Sequence, residues 1–257
     1  MTDASANVID AFRLDRLHAV ITGASRGLGK GCALALAGAG ARVTLVGRTE
    51  TDLDAVAAEI KGTGGEAETL VADVTDIETF SSKLNTTPSI DIFVNNAGTN
   101  KPQPFLSVDA ETFDALMDVN LRGAFFAAQA AARRMADTGR GGSIINMSSQ
   151  AGHRALRDRT VYSASKFGLE GLTKAMAFEL AEHAIRVNAV APTFVETPLT
   201  RPMLENQAFR DYVEGKIRLP KLGQIEDVAA AVLYLAAPAS SMVTGTSLLV
   251  DGGWTIH

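Results

Sequence analysis

The stretch Leu17-His18-Ala19-Val20-Ile21-Thr22-Gly23-Ala24-Ser25-Arg26-Gly27-Leu28-Gly29-Lys30 carries the strongest structural signal in the chain. Residues 17–22 are a short, apolar, partly β-branched run and predict a strand. Gly23, Gly27 and Gly29 mark a tight turn, and residues 30–39 continue as a helix. A glycine-rich turn between strand and helix lets the backbone approach a diphosphate, which then sits on the helix N-terminus. The spacing is G-x-x-x-G-x-G, which departs from the standard G-x-G-x-x-G. A tight turn that binds nothing is the plain alternative for these glycines taken alone.

Outward from this unit the pattern repeats. Further strands are predicted at 42–46, 68–72, 91–94, 142–147, 185–190 and 247–250. Helices are predicted at 51–61, 76–84, 109–135, 161–182 and 226–236. Alternating strands and helices mean an α/β chain with a parallel sheet covered on both faces. No repeat, low-complexity segment or linker divides the 257 residues, so one domain is expected over 1–257. Residues 193–225 hold Pro198, Pro202 and Pro220 and read as an irregular lid over a substrate.

Composition excludes several classes. The chain is 46% hydrophobic and 21% charged, which is globular rather than disordered. A net charge of -5 leaves no basic footprint for nucleic acid. Cys32 is the one cysteine, which rules out an internal disulfide framework and a Cys-rich zinc site. His18, His153, His183 and His257 are scattered without metal-ligand spacing, so no metal is expected. The start of the chain, with Asp3 and Asp10, lacks the apolar run of a signal peptide, and no stretch suits a membrane span. A reducing, cytoplasmic setting is the expectation.

The end of the second predicted strand bears on the cofactor. An NAD site places an acid there to grip the ribose 2′-hydroxyl. This chain reads Val46-Gly47-Arg48-Thr49, and Arg26 lies within the glycine turn. Two guanidinium groups suit a 2′-phosphate, so NADP(H) is expected over NAD(H). The alternative is two solvated surface arginines.

Chemistry is suggested further on. Tyr162 and Lys166 are four apart on one helical face. A neighbouring ammonium, or a cationic oxidised nicotinamide, would lower the tyrosine pKa and let it exchange a proton with an alcohol or carbonyl oxygen. Ser149 ends the strand at 142–147, at the sheet edge that borders a ligand crevice, and can donate to the same oxygen. A capping serine is the alternative. Asn95-Asn96-Ala97-Gly98 follows the fourth strand and can line a cofactor. Asn120 lies within the helix at 109–135, where a buried amide either serves local structure or orders a water.

Together these residues resemble the short-chain dehydrogenase/reductase family, in its branch of chains of about this length. The likeness rests on Thr22-Gly23-x-x-x-Gly27-x-Gly29, Asp73, Asn95-Asn96-Ala97-Gly98, Asn120, Ser149 and Tyr162-x-x-x-Lys166, in that order, and runs from Leu14 to the C-terminus. It implies a single doubly wound Rossmann-like domain with seven parallel strands in the order 3-2-1-4-5-6-7. It implies Tyr162 as acid/base, Ser149 as donor to the substrate oxygen, Lys166 on the nicotinamide ribose, and Asn120 holding a water of the proton relay. The turn residues Gly23, Ser25, Arg26, Gly27, Leu28 and Gly29 would bind the cofactor, as would Arg48. Asp73 and Val74 would contact the adenine, and Asn95, Ala97 and Gly98 would flank its ribose. Pro192, Val195 and Thr197 would meet the nicotinamide end. Homotetramers, or dimers, built on the two long helices are also implied. One departure is Pro192-Thr193 where the family has Pro-Gly; a β-branched residue resists positive φ and narrows the pocket floor.

Family likeness does not fix the substrate. Gln150, His153, Arg154, Arg157 and Arg159 follow Ser149, and such groups suit a polyhydroxylated or anionic carbonyl compound. A solvated loop is the alternative. The leading expectation is an NADP(H)-dependent enzyme interconverting a secondary alcohol and a ketone on a sugar, polyol or sugar acid. The alternatives are a 3-oxoacyl thioester reductase, a non-catalytic NADP(H)-binding regulator and a sugar-nucleotide epimerase or dehydratase. Trp254 to His257 either closes a neighbouring subunit's pocket or seals an interface.

Overall fold

In the computed structural model, which describes residues 7–198 and 200–256, the strands form one parallel sheet. They are β1 (His18–Thr22), β2 (Arg42–Gly47), β3 (Glu66–Val71), β4 (Ile92–Asn95), β5 (Gly142–Met147), β6 (Ile185–Pro192) and β7 (Ser247–Val250). Their order is 3-2-1-4-5-6-7, as expected. The helices are α1 (Gly27–Gly38), α2 (Glu50–Gly62), α3 (Ile77–Leu84), α4 (Ala110–Met117), α5 (Ala124–Thr138), α6 (Thr160–Leu180), α7 (Arg201–Leu204), α8 (Gln207–Lys216) and α9 (Ile225–Ala236). The first six residues of the expected domain, Leu199 of the lid and His257 lie outside the described residues.

The continuous apolar runs arise because each strand feeds two cores. Ala19, Ile21, Val43, Leu45 and Val94 pack with α1, α2 and α9 on one face. Val20, Val46, Phe93, Ile144 and Val187 pack with α3, α5 and α6 on the other. Alternate residues point to opposite faces, so an amphipathic pattern never develops. Between β1 and β4 the strand order reverses direction, which opens a crevice at the carboxyl ends of the strands. The glycine turn, residues 95–98, Ser149 and Thr193 all follow strands that end at that edge.

The expected single helix at 109–135 is interrupted. Asp118–Gly123 form a π-helical turn between α4 and α5. The wider turn admits a close approach: a Cβ at Gly123 would lie 2.9 Å from the Asp118 carbonyl oxygen and 3.0 Å from that of Val74. Such bulges concentrate at functional sites, and this one carries Asn120.

The expected irregular lid is folded. It contains α7 and α8, and a parallel bridge pairs Val195, before α7, with Gly223, after α8. Pro202 sits in the first turn of α7, where the missing N–H costs nothing. Leu204, Val213, Ile217 and Leu222 form a small core with Trp254, whose ring centroid is 5.6 Å from that of Phe194 and 5.9 Å from that of Tyr212. Trp254 thus packs against the 193–225 segment of its own chain.

Among the described residues no helix is long and apolar enough to cross a membrane, and no group of His, Cys, Asp and Glu could hold a metal. Burial pushes the Cys32 thiol up to about 12, which makes it unreactive.

Candidate active site

The glycine turn is held open by its neighbours. Gly23 and Gly27 take φ of +65° and +55°, the left-handed region glycine occupies freely. A Cβ at Gly29 would lie 2.2 Å from the Gly23 carbonyl oxygen, so the turn closes only on a bare backbone. The Asn96 side chain donates to the carbonyls of Thr22 at 2.9 Å and Gly23 at 3.2 Å. The Thr22 hydroxyl accepts from the backbone N–H groups of Asn96 at 2.9 Å and Ala97 at 3.0 Å. The end of β4 therefore fixes the end of β1. Asn96 was not singled out in the sequence, where only its doublet with Asn95 marked it.

Helix α1 starts at Gly27 with no side-chain cap and no acid in its first turn. Its first N–H groups are left for an anion, as a diphosphate at a helix N-terminus requires. Ser25, Arg26 and Leu28 flank this turn, partly or fully exposed. Arg48 is exposed at the end of β2, with a long 3.8 Å contact to Asp73. The other Asp73 oxygen accepts from the backbone and hydroxyl of Thr75 at 3.0 and 2.9 Å. The Val74 side chain is buried in the core below. Across the crevice the Thr197 Cβ lies 3.8 Å from where a Gly27 Cβ would stand, which brings the start of the lid over the turn. Pro192 and Val195 are buried on the approach to it.

Two expected cofactor or relay residues also carry structural hydrogen bonds. The Asn95 side chain donates to the Ala124 carbonyl at 2.8 Å and to the Asn146 side chain at 3.1 Å. It ties β4 to α5 and β5 and turns away from the crevice. Asn120 clamps the Thr99 backbone, accepting from its N–H and donating to its C=O, both at 2.8 Å. It also donates to the Ser165 hydroxyl at 3.3 Å. Both amide hydrogens are thus used by Thr99 and Ser165. It remains adjacent: a Cβ on Gly98 would stand 3.3 Å from Asn120 Oδ1 and 3.8 Å from Lys166 Nζ.

Tyr162 and Lys166 both project from the first turns of α6. The Ser149 hydroxyl accepts from the Ala151 N–H at 3.1 Å, as a cap does, and stands close enough to the Tyr162 phenol to favour its ionised form. Lys166 is 4% exposed; its Nζ donates to the Met147 carbonyl at 2.8 Å and lies 5.7 Å from the Tyr162 ring centroid. Burial draws the Lys166 ammonium down to about 8, against the pull of Glu170. Burial likewise pushes the Tyr162 phenol above its usual value; the Ser149 hydrogen bond and the charge of Arg159 oppose it. This corrects the expectation that Lys166 lowers the tyrosine pKa. The ammonium is turned to a carbonyl, and the cation that acts on the phenol is Arg159.

The comparisons agree with this geometry. The family model described as enoyl-(acyl carrier protein) reductase matches residues 23–255. L-Xylulose reductase of Mesocricetus auratus is 42% identical over 239 residues, 93% of this chain and 96% of that protein. The crystal structure of a short-chain type dehydrogenase/reductase from Mycobacterium marinum superposes with a TM-score of 0.93 at 42% identity, covering 98% of this chain and 100% of that one. The chain belongs to the short-chain dehydrogenase/reductase family. A gluconate 5-dehydrogenase from Burkholderia cenocepacia, solved in complex with NADP and tartrate, superposes with a TM-score of 0.94 at 35% identity, covering 98% of this chain and 100% of that one.

In this dehydrogenase/reductase the polar segment after Ser149 divides. His153 hydrogen-bonds Glu170 at 3.1 Å and Ser247 at 2.9 Å, which ties it to α6 and β7. Arg154 donates to the Trp254 carbonyl at 3.4 Å, and Arg157 is solvent-exposed. Gln150 is 1% exposed, and its amide has no partner among the described residues. Thr193 avoids positive φ, pairing its N–H with the Val250 carbonyl at 3.1 Å and leaving a buried hydroxyl with no partner among the described residues. Arg159 is the buried arginine of the segment, and its sequence position gave no sign of that.

Proposed function

We propose that this oxidoreductase interconverts a secondary alcohol and a ketone on a sugar, polyol or sugar acid, using NADP(H) in preference to NAD(H). One observation carries the reading: Tyr162, Ser149 and buried Lys166 come together at the strand-end crevice, with the Ser149 hydroxyl close enough to act on the Tyr162 phenol and the Lys166 ammonium 5.7 Å from its ring. Bound NADPH would supply the hydride. The open N-terminus of α1 and the bare glycine turn fit its diphosphate, and exposed Arg26 and Arg48 fit a 2′-phosphate. Ser149 donates to the carbonyl oxygen and orients it toward Tyr162. As that oxygen gains negative charge, the phenol passes it a proton. A phenol whose pKa is raised stays protonated at neutral pH, which suits it to the acid role in carbonyl reduction. Lys166, fixed on the Met147 carbonyl, stands below the Gly98 gap where a ribose would lie.

The unpartnered amide of Gln150 and hydroxyl of Thr193, which follow Ser149 and Pro192 in the chain, support a substrate rich in hydroxyls. The L-xylulose reductase and gluconate 5-dehydrogenase relatives support the same class. Exposed Phe113, Phe125, Phe167 and Phe178 on α4, α5 and α6 support a homo-oligomer, with a homotetramer as the proposed form. A single buried cysteine accords with a cytoplasmic setting.

The test follows oxidation of NADPH and NADH with ketoses, sugar keto acids and acyl thioesters. Reduction of the first two classes with higher kcat/KM for NADPH is expected. A preference for acyl thioesters, or for NADH, would overturn the respective part, and no turnover with tight NADPH binding would favour a regulator.

A further inference from the structure

Arg159 is 8% exposed, yet among the described residues no carboxylate is ion-paired with it. The neighbouring Asp158 carboxylate turns to solvent-exposed Arg157 at 3.8 Å. Of its five N–H donors, one reaches the Asp158 carbonyl at 3.3 Å and another the Met203 sulfur at 3.8 Å, both weak contacts. A charge withdrawn from water needs a close counter-charge or a full set of hydrogen bonds. Among the described residues Arg159 has only the more distant charge of Asp158, which does not ion-pair with it, and these two weak contacts.

Its position shows what could supply the missing charge. It stands at the start of α6, one turn before Tyr162, whose phenol responds to its charge. Met203 belongs to α7 of the lid. The Asp158 carbonyl also accepts from the Gln103 N–H at 2.9 Å, which joins this corner to the segment that follows β4. Arg159 therefore stands at a corner where the start of α6, α7 and the segment after β4 come together, on the same end of α6 as Tyr162. The cofactor's phosphates belong to the glycine turn and to Arg26 and Arg48, at another part of the fold. The α6 N-terminus has no side-chain cap, so the positive end of a 21-residue helix adds to the same local field.

We propose that Arg159 is a specificity-determining residue that pairs with the carboxylate of an anionic hydroxy-ketone, so that the enzyme takes sugar keto acids in preference to neutral ketoses. The proposal rests on the oxidoreductase reading of the same site and names its substrate class. A single buried guanidinium matches one negative charge in bidentate geometry, which favours a carboxylate over a dianionic phosphate.

The test compares NADPH-dependent kcat/KM for 5-keto-D-gluconate, D-fructose and D-fructose 6-phosphate in the wild type, Arg159→Lys and Arg159→Gln. The keto acid is expected to lead fructose by about tenfold or more in the wild type, with the ratio collapsing toward one in Arg159→Gln through KM and partly rescued in Arg159→Lys. Equal use of both ketones by the wild type, survival of the ratio in Arg159→Gln, or a lead for fructose 6-phosphate overturns it. A second measurement titrates tartrate into the enzyme–NADPH complex by calorimetry. Binding at least about tenfold weaker in Arg159→Gln supports the pairing, and equal or absent binding opposes it. If no ketone is reduced but tartrate binding depends on Arg159, the oxidoreductase reading fails while the anion pocket stands. If ketoses are reduced without regard to charge, the reverse holds.

Discussion

Replacing Lys166 with methionine should stabilise the folded protein at neutral pH. The ammonium is almost wholly buried, and its pKa falls from 10.5 to about 8. That gap corresponds to roughly 3 kcal/mol of charging cost carried by the fold at pH 7. The substitution also strands the Met147 carbonyl, now bonded at 2.8 Å, which costs about 1–2 kcal/mol. The net expectation for Lys166→Met is a gain of about 1–2 kcal/mol at pH 7, with loss of activity. The sign with pH follows from linkage. The lysine cost is fully present below the folded value of about 8 and vanishes as pH rises through the unfolded value of 10.5. Wild-type stability should therefore gain on the variant between those limits, reversing the order at the alkaline end. Urea unfolding followed by far-UV circular dichroism, at one protein concentration and several pH values, reads this difference directly. A variant less stable than wild type at pH 7, or a gap that does not change from pH 7 to 10, would refute the reasoning.

Other substitutions probe the remaining parts. Gly29→Ala places a methyl 2.2 Å from the Gly23 carbonyl oxygen and should cost about 3 kcal/mol in urea unfolding, with NADPH affinity falling alongside. Arg48→Ala should lower the ratio of kcat/KM for NADPH to that for NADH by about tenfold, since it removes one charge-assisted partner of a 2′-phosphate. Glu170→Gln removes the charge that supports the Lys166 ammonium and should move its titration below about 8, measured by competitive acetylation across pH.

The sheet was legible because strands buried on both faces announce themselves as apolar runs, and the glycines after β1 could hardly belong to anything but a turn. The π-turn was not: one extra residue leaves the helical periodicity of 109–135 almost unchanged. Three prolines hid the folded lid, although Phe209 and Val213 sit four apart and one face of α8 packs against Trp254. In the site, spacing placed Tyr162 and Lys166 on one face but could not show that the ammonium turns to the Met147 carbonyl. Asn95 and Asn96 look equivalent on paper; strand alternation sends one into the core and the other to the glycine turn. The basic run after Ser149 likewise gave no clue that only Arg159 of its arginines is buried, because that depends on a distant segment, α7, whose Met203 meets its guanidinium.

The proton-donor role of Tyr162 is tested most directly by single-turnover reduction of a ketone in Tyr162→Phe, with NADPH affinity measured on the same sample. A fall in rate of about 10³-fold with cofactor binding retained is the predicted result. A rate near that of the wild type would contradict it.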